Sequence, residues 1–389
     1  MNAGITWPAG FRAAGVAAGQ RAGDGPDLAL VVNDGPSPAA AAVFTSNRFL
    51  AAPVQWSRQV MASGATPTAV VLNAGGANAC TGQAGFDQSA ASAAQAGDVL
   101  GRPPSQVLVA STGIIGRLLN IDGLLDGIVA AGAELRDDGG QDAARAIMTT
   151  DTFPKTVQQA HGDWLVGGMA KGAGMIAPGM ATLLVVITTD AVTDNTTAQQ
   201  ALAAAAEATF NRIDTDGCMS TNDTLILLAS GASGVPVGFD ELAGAVTSAC
   251  HDLAQQCVAD AEGASHEIAI TVDGAPTEDA AVQVARAVAR SNLFKCAVFG
   301  NDPNWGRVLS AVGTVPAAVA PYQPDQVDVS INGIMVCRGG SVGEPRELVD
   351  MTPRRVNVTI DLAVGPASAT VYTNDLTYDY VRENAEYST

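Results

Sequence analysis

Short apolar runs alternate along the chain with alanine-rich stretches of mixed polarity. "TAVVLNAGG", ending at Gly76, and "SQVLVASTG" (105–113) read as strands that finish in glycine turns. "FDQSAASAAQAGDVLG" and "DNTTAQQALAAAAEATFNRI" read as helices, the second opened by Asp194 or Asn195 as its cap. Helical patterns recur over 239–263 and 276–291. Toward the C-terminus, "QVDVSINGIMV", "RRVNVTIDLAVG" and "SATVYTND" show partial period-two alternation and strand character. The proline-bearing stretch 311–326 reads as a connector. The mixture predicts an α/β protein whose sheets are covered by helices.

One passage breaks the regularity. "KGAGMIAPGMATLL" (171–184) is a lysine-led, glycine-rich loop that runs into the hydrophobic segment "TLLVVITT" without a polar turn. Thr182 is then either the first residue of a buried strand or a hydroxyl nucleophile presented at a strand end. In the second reading, the bond between Ala181 and Thr182 is cut and the freed α-amine serves as base for its own hydroxyl. Such an amine titrates near pH ~7.7–8, so part of it is neutral at physiological pH. The residues by themselves leave both readings open.

Composition narrows the field. A chain of 389 residues, 47% hydrophobic and 15% charged, can bury a substantial interior as two domains or one large layered one. No uncharged apolar run reaches the ~18 residues of a membrane span. The N-terminal stretch lacks the basic start and apolar core of a signal peptide, which points to the cytoplasm. The 39 acidic against 20 basic residues, a net charge of −19, argue against nucleic acid as a partner. Six scattered cysteines without a CxxC pair are expected to be reduced, buried thiols, and three dispersed histidines do not suggest a metal site. There is no Walker motif and no G-x-S-x-G elbow.

Seven blocks carry a resemblance: "NAGGANACTG", "STGIIG", "AIMTTDTFPK", "MAKGAGMIAPGMATLLVVITTDA", "DAEGASHE", "GNDPNWGR" and the C-terminal "ENAEYST". In this order, from residue 73 to the last residue, they resemble the glutamate N-acetyltransferase/ornithine acetyltransferase family of arginine biosynthesis. The resemblance implies a layered sheet-and-helix sandwich, of the type shared with the DmpA aminopeptidases. It further implies a precursor that cleaves itself at Ala181-Thr182 into an α chain (1–181) and a β chain (182–389) headed by the nucleophile Thr182. Thr112 and Gly113 would form the oxyanion hole. Thr149, Lys171, Thr182, Glu262, Asn384 and Thr389 would contact the substrate, with Lys171 on an α-carboxylate and Glu262 on a cationic side chain.

The implied reaction moves an acetyl group from N-acetylornithine to glutamate through an acetyl-threonine ester, without metal or cofactor. Members that also accept acetyl-CoA belong to the same family. Two α and two β chains would assemble into a heterotetramer. Two other readings stay open at this level: an N-terminal-nucleophile aminopeptidase of related fold that releases its acyl group to water, and an acidic binding protein in which Thr182 is an ordinary strand residue.

Overall fold

The structure, a computed structural model, describes residues 4–175 and 183–386. It divides into two compact units. Among the described residues, the first comprises the chain through Asn211 together with Cys218–Asp260, and the second comprises Arg212–Gly217 and the chain from Ala261 onward. This spatial division does not fall at residue 181.

The first unit stacks two sheets. Strands Phe11–Val16, Leu28–Asn33, Ala69–Gly76 and Val107–Ile114 form one sheet, in that order. The other runs Ala39–Phe44, Thr224–Ala229, Leu184–Thr189, Trp164–Lys171, Lys155–His161. Their facing sides interleave Val31, Val70, Leu72 and Leu108 with Met169, Val186, Ile226 and Leu228 in a single buried cluster. Helices Gly82–Leu100 and Ile121–Ala133 cover the outer face of the first sheet, and Asn195–Ala208 with Phe239–Ala259 cover the outer face of the second. The result is a four-layered sandwich of helix, sheet, sheet and helix, which is the sheet-and-helix sandwich expected.

Strands Leu184–Thr189 and Thr224–Ala229 are buried at every position and pair in parallel. A strand covered on both faces shows continuous apolarity instead of alternation, which is why "TLLVVITT" lacks polar punctuation. Asp194 is the cap of its helix: its carboxylate accepts from the Thr196 and Thr197 N–H groups at 2.8 and 2.9 Å.

The second unit is a six-stranded sheet in the order Ser341–Val342, Ile334–Arg338, Asp328–Ile331, Arg355–Asp361, Glu267–Ala275, Ala367–Asn374. Its core packs Ile268, Ile270 and Val358 against Val284 and Val288 of helix Glu278–Ala289 and against Phe294 and Val308.

Two details go beyond the sequence reading, and one expectation needs revision. The segment "QVDVSINGIMV" is a hairpin of two strands, because Asn332 and Gly333 both take positive φ (47° and 83°) and turn the chain back. The alanine-rich run Ala39–Phe44 is an edge strand beside Thr224–Ala229. The cysteines are not uniformly buried: Cys250, Cys257 and Cys337 are, whereas Cys80, Cys218 and Cys296 are exposed.

Leu228 has no exposed surface and sits between the stacked sheets of the first unit. Leu228→Ala should therefore cost about 2–5 kcal/mol, read as a lower urea midpoint with an unchanged slope.

Candidate active site

The strand ends of the first unit gather several of the residues singled out in the sequence. Ala69–Gly76 and Val107–Ile114 run parallel, with Ala74 opposite Thr112 and Gly75 opposite Gly113. Gly113 has φ 125°, and a Cβ built on it would lie 2.4 Å from the Gly75 carbonyl carbon. Only glycine allows the two chains this approach, so "NAGG" and "STG" are two halves of one structure. Asn222 fastens that structure to the second sheet. Its Nδ2 donates to the Ala77 and Ser111 carbonyls at 2.6 and 2.8 Å.

Lys171 ends strand Trp164–Lys171 and is the register partner of Leu184. Its side chain is buried, and Nζ lies 3.4 Å from the Thr112 hydroxyl. An ammonium in such a place requires negative charge nearby; two carboxyl groups lie within its electrostatic reach, one ionised and one disposed to stay neutral. Asp151 Oδ1 accepts from Lys155 Nζ at 2.6 Å and from the Gly172 N–H at 2.7 Å, while Oδ2 accepts from the Thr149 N–H at 3.0 Å. Lys155 Nζ also donates to Asp260 Oδ2 at 2.6 Å. Burial opposes ionisation of Asp151, but Lys171 and Lys155 outweigh it and hold the carboxyl down at about 2.

Asp223 is the other carboxyl. It is wholly buried, and its Oδ1 accepts from the Leu183 N–H at 3.0 Å. Burial pushes it well above the usual carboxylate range, against the pull of that N–H and of Lys171. The Leu183 carbonyl in turn accepts from the Thr224 N–H at 3.0 Å. The residue next to the expected nucleophile is thus held on both sides of its backbone.

In the second unit, Asn384 Nδ2 donates to Glu262 Oε2 at 3.1 Å, joining two residues expected to touch substrate. The glycine after Glu262 makes this possible. Gly263 has φ 60°, and a Cβ there would meet the Tyr380 nitrogen at 2.2 Å. The Thr377 hydroxyl donates to the Gly263 carbonyl at 2.5 Å, and Asp375 accepts from the Ser265 and His266 N–H groups at 3.0 and 2.9 Å. His266 Nδ1 lies 2.9 Å from Asp375 Oδ2, a structural placement.

The expected site residues therefore fall into two sets. Thr112, Gly113, Thr149 and Lys171 belong to the first unit, and Glu262 and Asn384 to the second. Ala181, Thr182 and Thr389 lie outside the described residues. Sequence reasoning passed over Asp151, Lys155, Asp260, Asn222 and Asp223. The available signal was polar residues abutting apolar runs, as in "TND" before "TLILLA" and "TTDTFPK" before a strand. Among the described residues, no group of three or more His, Cys, Asp or Glu side chains is placed to hold a metal, and no helix is long and apolar enough to cross a membrane.

The ArgJ family model matches residues 12–389. The chain belongs to the ArgJ family. Its relatives within the family include the arginine biosynthesis bifunctional protein ArgJ of Streptomyces coelicolor, 58% identical over 99% of both chains. The protein of the same name from Bifidobacterium longum is 57% identical over 98% of this chain and 99% of its own. Among solved structures, ornithine acetyltransferase complexed with ornithine from Mycobacterium tuberculosis is 53% identical, covering 45% of this chain and 95% of that one, at a TM-score of 0.44. The seven blocks picked out in the sequence thus mark a true ArgJ relationship, which places the chain among acyltransferases of arginine biosynthesis.

The buried charges of this ArgJ-family protein make its stability pH-dependent in a definite direction. Asp151 titrates lower in the folded chain than in the unfolded one. Its contribution is complete above the unfolded value and is lost as pH falls through the folded value of about 2. The unfolding free energies of wild type and Asp151→Asn should converge by on the order of 2 kcal/mol between about pH 5 and about pH 2, measured by urea titration at each pH.

Proposed function

We propose that this chain transfers the acetyl group of N-acetylornithine to glutamate, after cutting itself between Ala181 and Thr182. The observation that carries this reading is the position of Lys171. It stands across from Leu184, at the start of the strand that follows the glycine-rich loop, with its ammonium beside the Thr112 hydroxyl. A cation buried next to a Thr-Gly strand end suits a substrate that presents both an α-carboxylate and an amide carbonyl.

In the proposed sequence, the Thr182 amine takes the proton from its own hydroxyl, and the oxygen attacks the acetyl carbonyl. Thr112 and Gly113 hold the resulting oxyanion; a donor of this kind is worth about 3 kcal/mol in related chemistry. The C–N bond breaks, the proton passes to the departing amine of ornithine, and an acetyl ester of Thr182 remains. The α-amine of glutamate attacks that ester, giving N-acetylglutamate and free Thr182. Thr149, Lys171, Glu262, Asn384 and Thr389 bind the two amino acids in turn. The word "bifunctional" in the relatives' names supports a second donor, which we assign as acetyl-CoA. The α and β chains remain together as a heterotetramer of two copies each, in the cytoplasm.

Denaturing mass spectrometry of the purified protein should show two fragments, ending at Ala181 and beginning at Thr182. Thr182→Ala should stay a single chain. An intact wild-type chain after prolonged incubation would remove the nucleophile assignment.

Incubation with N-acetylornithine alone should add one acetyl group to the fragment that begins at Thr182. Initial rates in both substrates should give parallel double-reciprocal lines. Intersecting lines without an acetylated fragment would mean direct transfer in a ternary complex. Ornithine release that continues without glutamate would instead mark a hydrolase.

A further inference from the structure

The groups around Lys171 differ in the charge they can offer it. Asp223 is fully buried in surroundings that favour its neutral form, and the Cys257 thiol is pushed up to about 12 by burial and stays protonated. The Thr112 hydroxyl is uncharged. Lys155 is a second cation, and Asp260 is engaged by Lys155 and by the Thr152 N–H at 3.0 Å. Asp151, held below the usual carboxylate range, is an ionised carboxylate that acts on Lys171.

Its contacts reach further than charge. Oδ1 holds the Gly172 N–H, directly after Lys171, and Oδ2 holds the N–H of Thr149. One side chain with no exposed surface therefore ties together two backbone segments that each carry a residue assigned to substrate.

We propose that Asp151 is a positioning residue of the acetyl-transfer site, fixing Lys171 and Thr149 relative to each other and keeping Lys171 a cation for the substrate carboxylate. Asp151 does not touch the reacting atoms; it acts through its neighbours. The inference rests on the acetyl-transfer reading given above.

Its test is the kinetics of Asp151→Asn and Asp151→Glu in the full chain, with N-acetylornithine and glutamate across pH, each variant checked for folding by circular dichroism. In Asp151→Asn, the amide oxygen can still accept from Lys155 or Gly172, but the negative charge of Asp151 is gone. KM for N-acetylornithine should rise about tenfold or more, with a smaller change in kcat. The alkaline limb of kcat/KM should move about one unit or more to lower pH, because an ammonium deprived of a nearby negative charge loses its proton more easily. Asp151→Glu should return the alkaline limb toward its wild-type position.

Asp260→Asn separates positioning from stability. It also breaks the buried cluster, yet it should leave the alkaline limb in place. If Asp151→Asn does not fold, Asp151→Glu carries the test: a raised KM with the limb unmoved supports the inference, and a wild-type KM overturns it. A folded Asp151→Asn with wild-type KM and pH profile also overturns it. A wild type that transfers no acetyl group would instead defeat the acetyl-transfer reading itself.

Discussion

Lys155 and Lys171 carry ammonium groups into the interior of the first unit, where each needs negative charge nearby. The loop 147–154, the ends of two strands and the C-terminus of helix Phe239–Ala259 converge to hold Lys155 between Asp151 and Asp260, and Asp151 also acts on Lys171. Breaking a buried pair by removing one partner typically costs about 3–5 kcal/mol, because the other is left charged and unpaired. The cluster therefore does more than stabilise. It places a cation beside Thr112, and it anchors both the first residue of the glycine-rich loop and the segment bearing Thr149.

Around this cluster, the site is built from strand ends, where backbone groups are free of ladder partners. Gly75 and Gly113 pass each other too closely for any side chain, and Asn222 spans from the second sheet to the carbonyl of Ser111. Asp223 then holds the backbone of Leu183. Four strand ends from two sheets are thus fixed to one another by a few buried polar contacts. A low-dielectric setting strengthens each contact and makes each costly to lose.

The second unit uses the same devices for Glu262 and Asn384. A positive-φ glycine lets the loop lie against helix Tyr378–Glu386, and Asp375 accepts the loop's amide groups. In both units, a candidate site residue is set by a glycine that removes a steric obstacle and a carboxylate that captures backbone donors.

Much of this was legible in the sequence. Long amphipathic helices, caps such as Asp194 and continuous apolar strands follow from local pattern, since periodicity and turn chemistry act within a few residues; the seven motif blocks are legible through family resemblance. The run Ala39–Phe44 shows where that logic stops. Alanine favours helix locally, but pairing with Thr224–Ala229 decides the outcome. Similarly, "SINGIM" needed its turn geometry to resolve into a hairpin. The sequence by itself determined the α/β class, the family and the identity of Thr112, Gly113, Lys171 and Glu262 as candidates. Only the tertiary structure decided that Lys171 is buried, and that Asp151, Asn222 and Asp223 surround it and its strand neighbours. Ion pairing through Lys155 joins Asp151 and Asp260, 109 positions apart, and no local pattern records such a meeting.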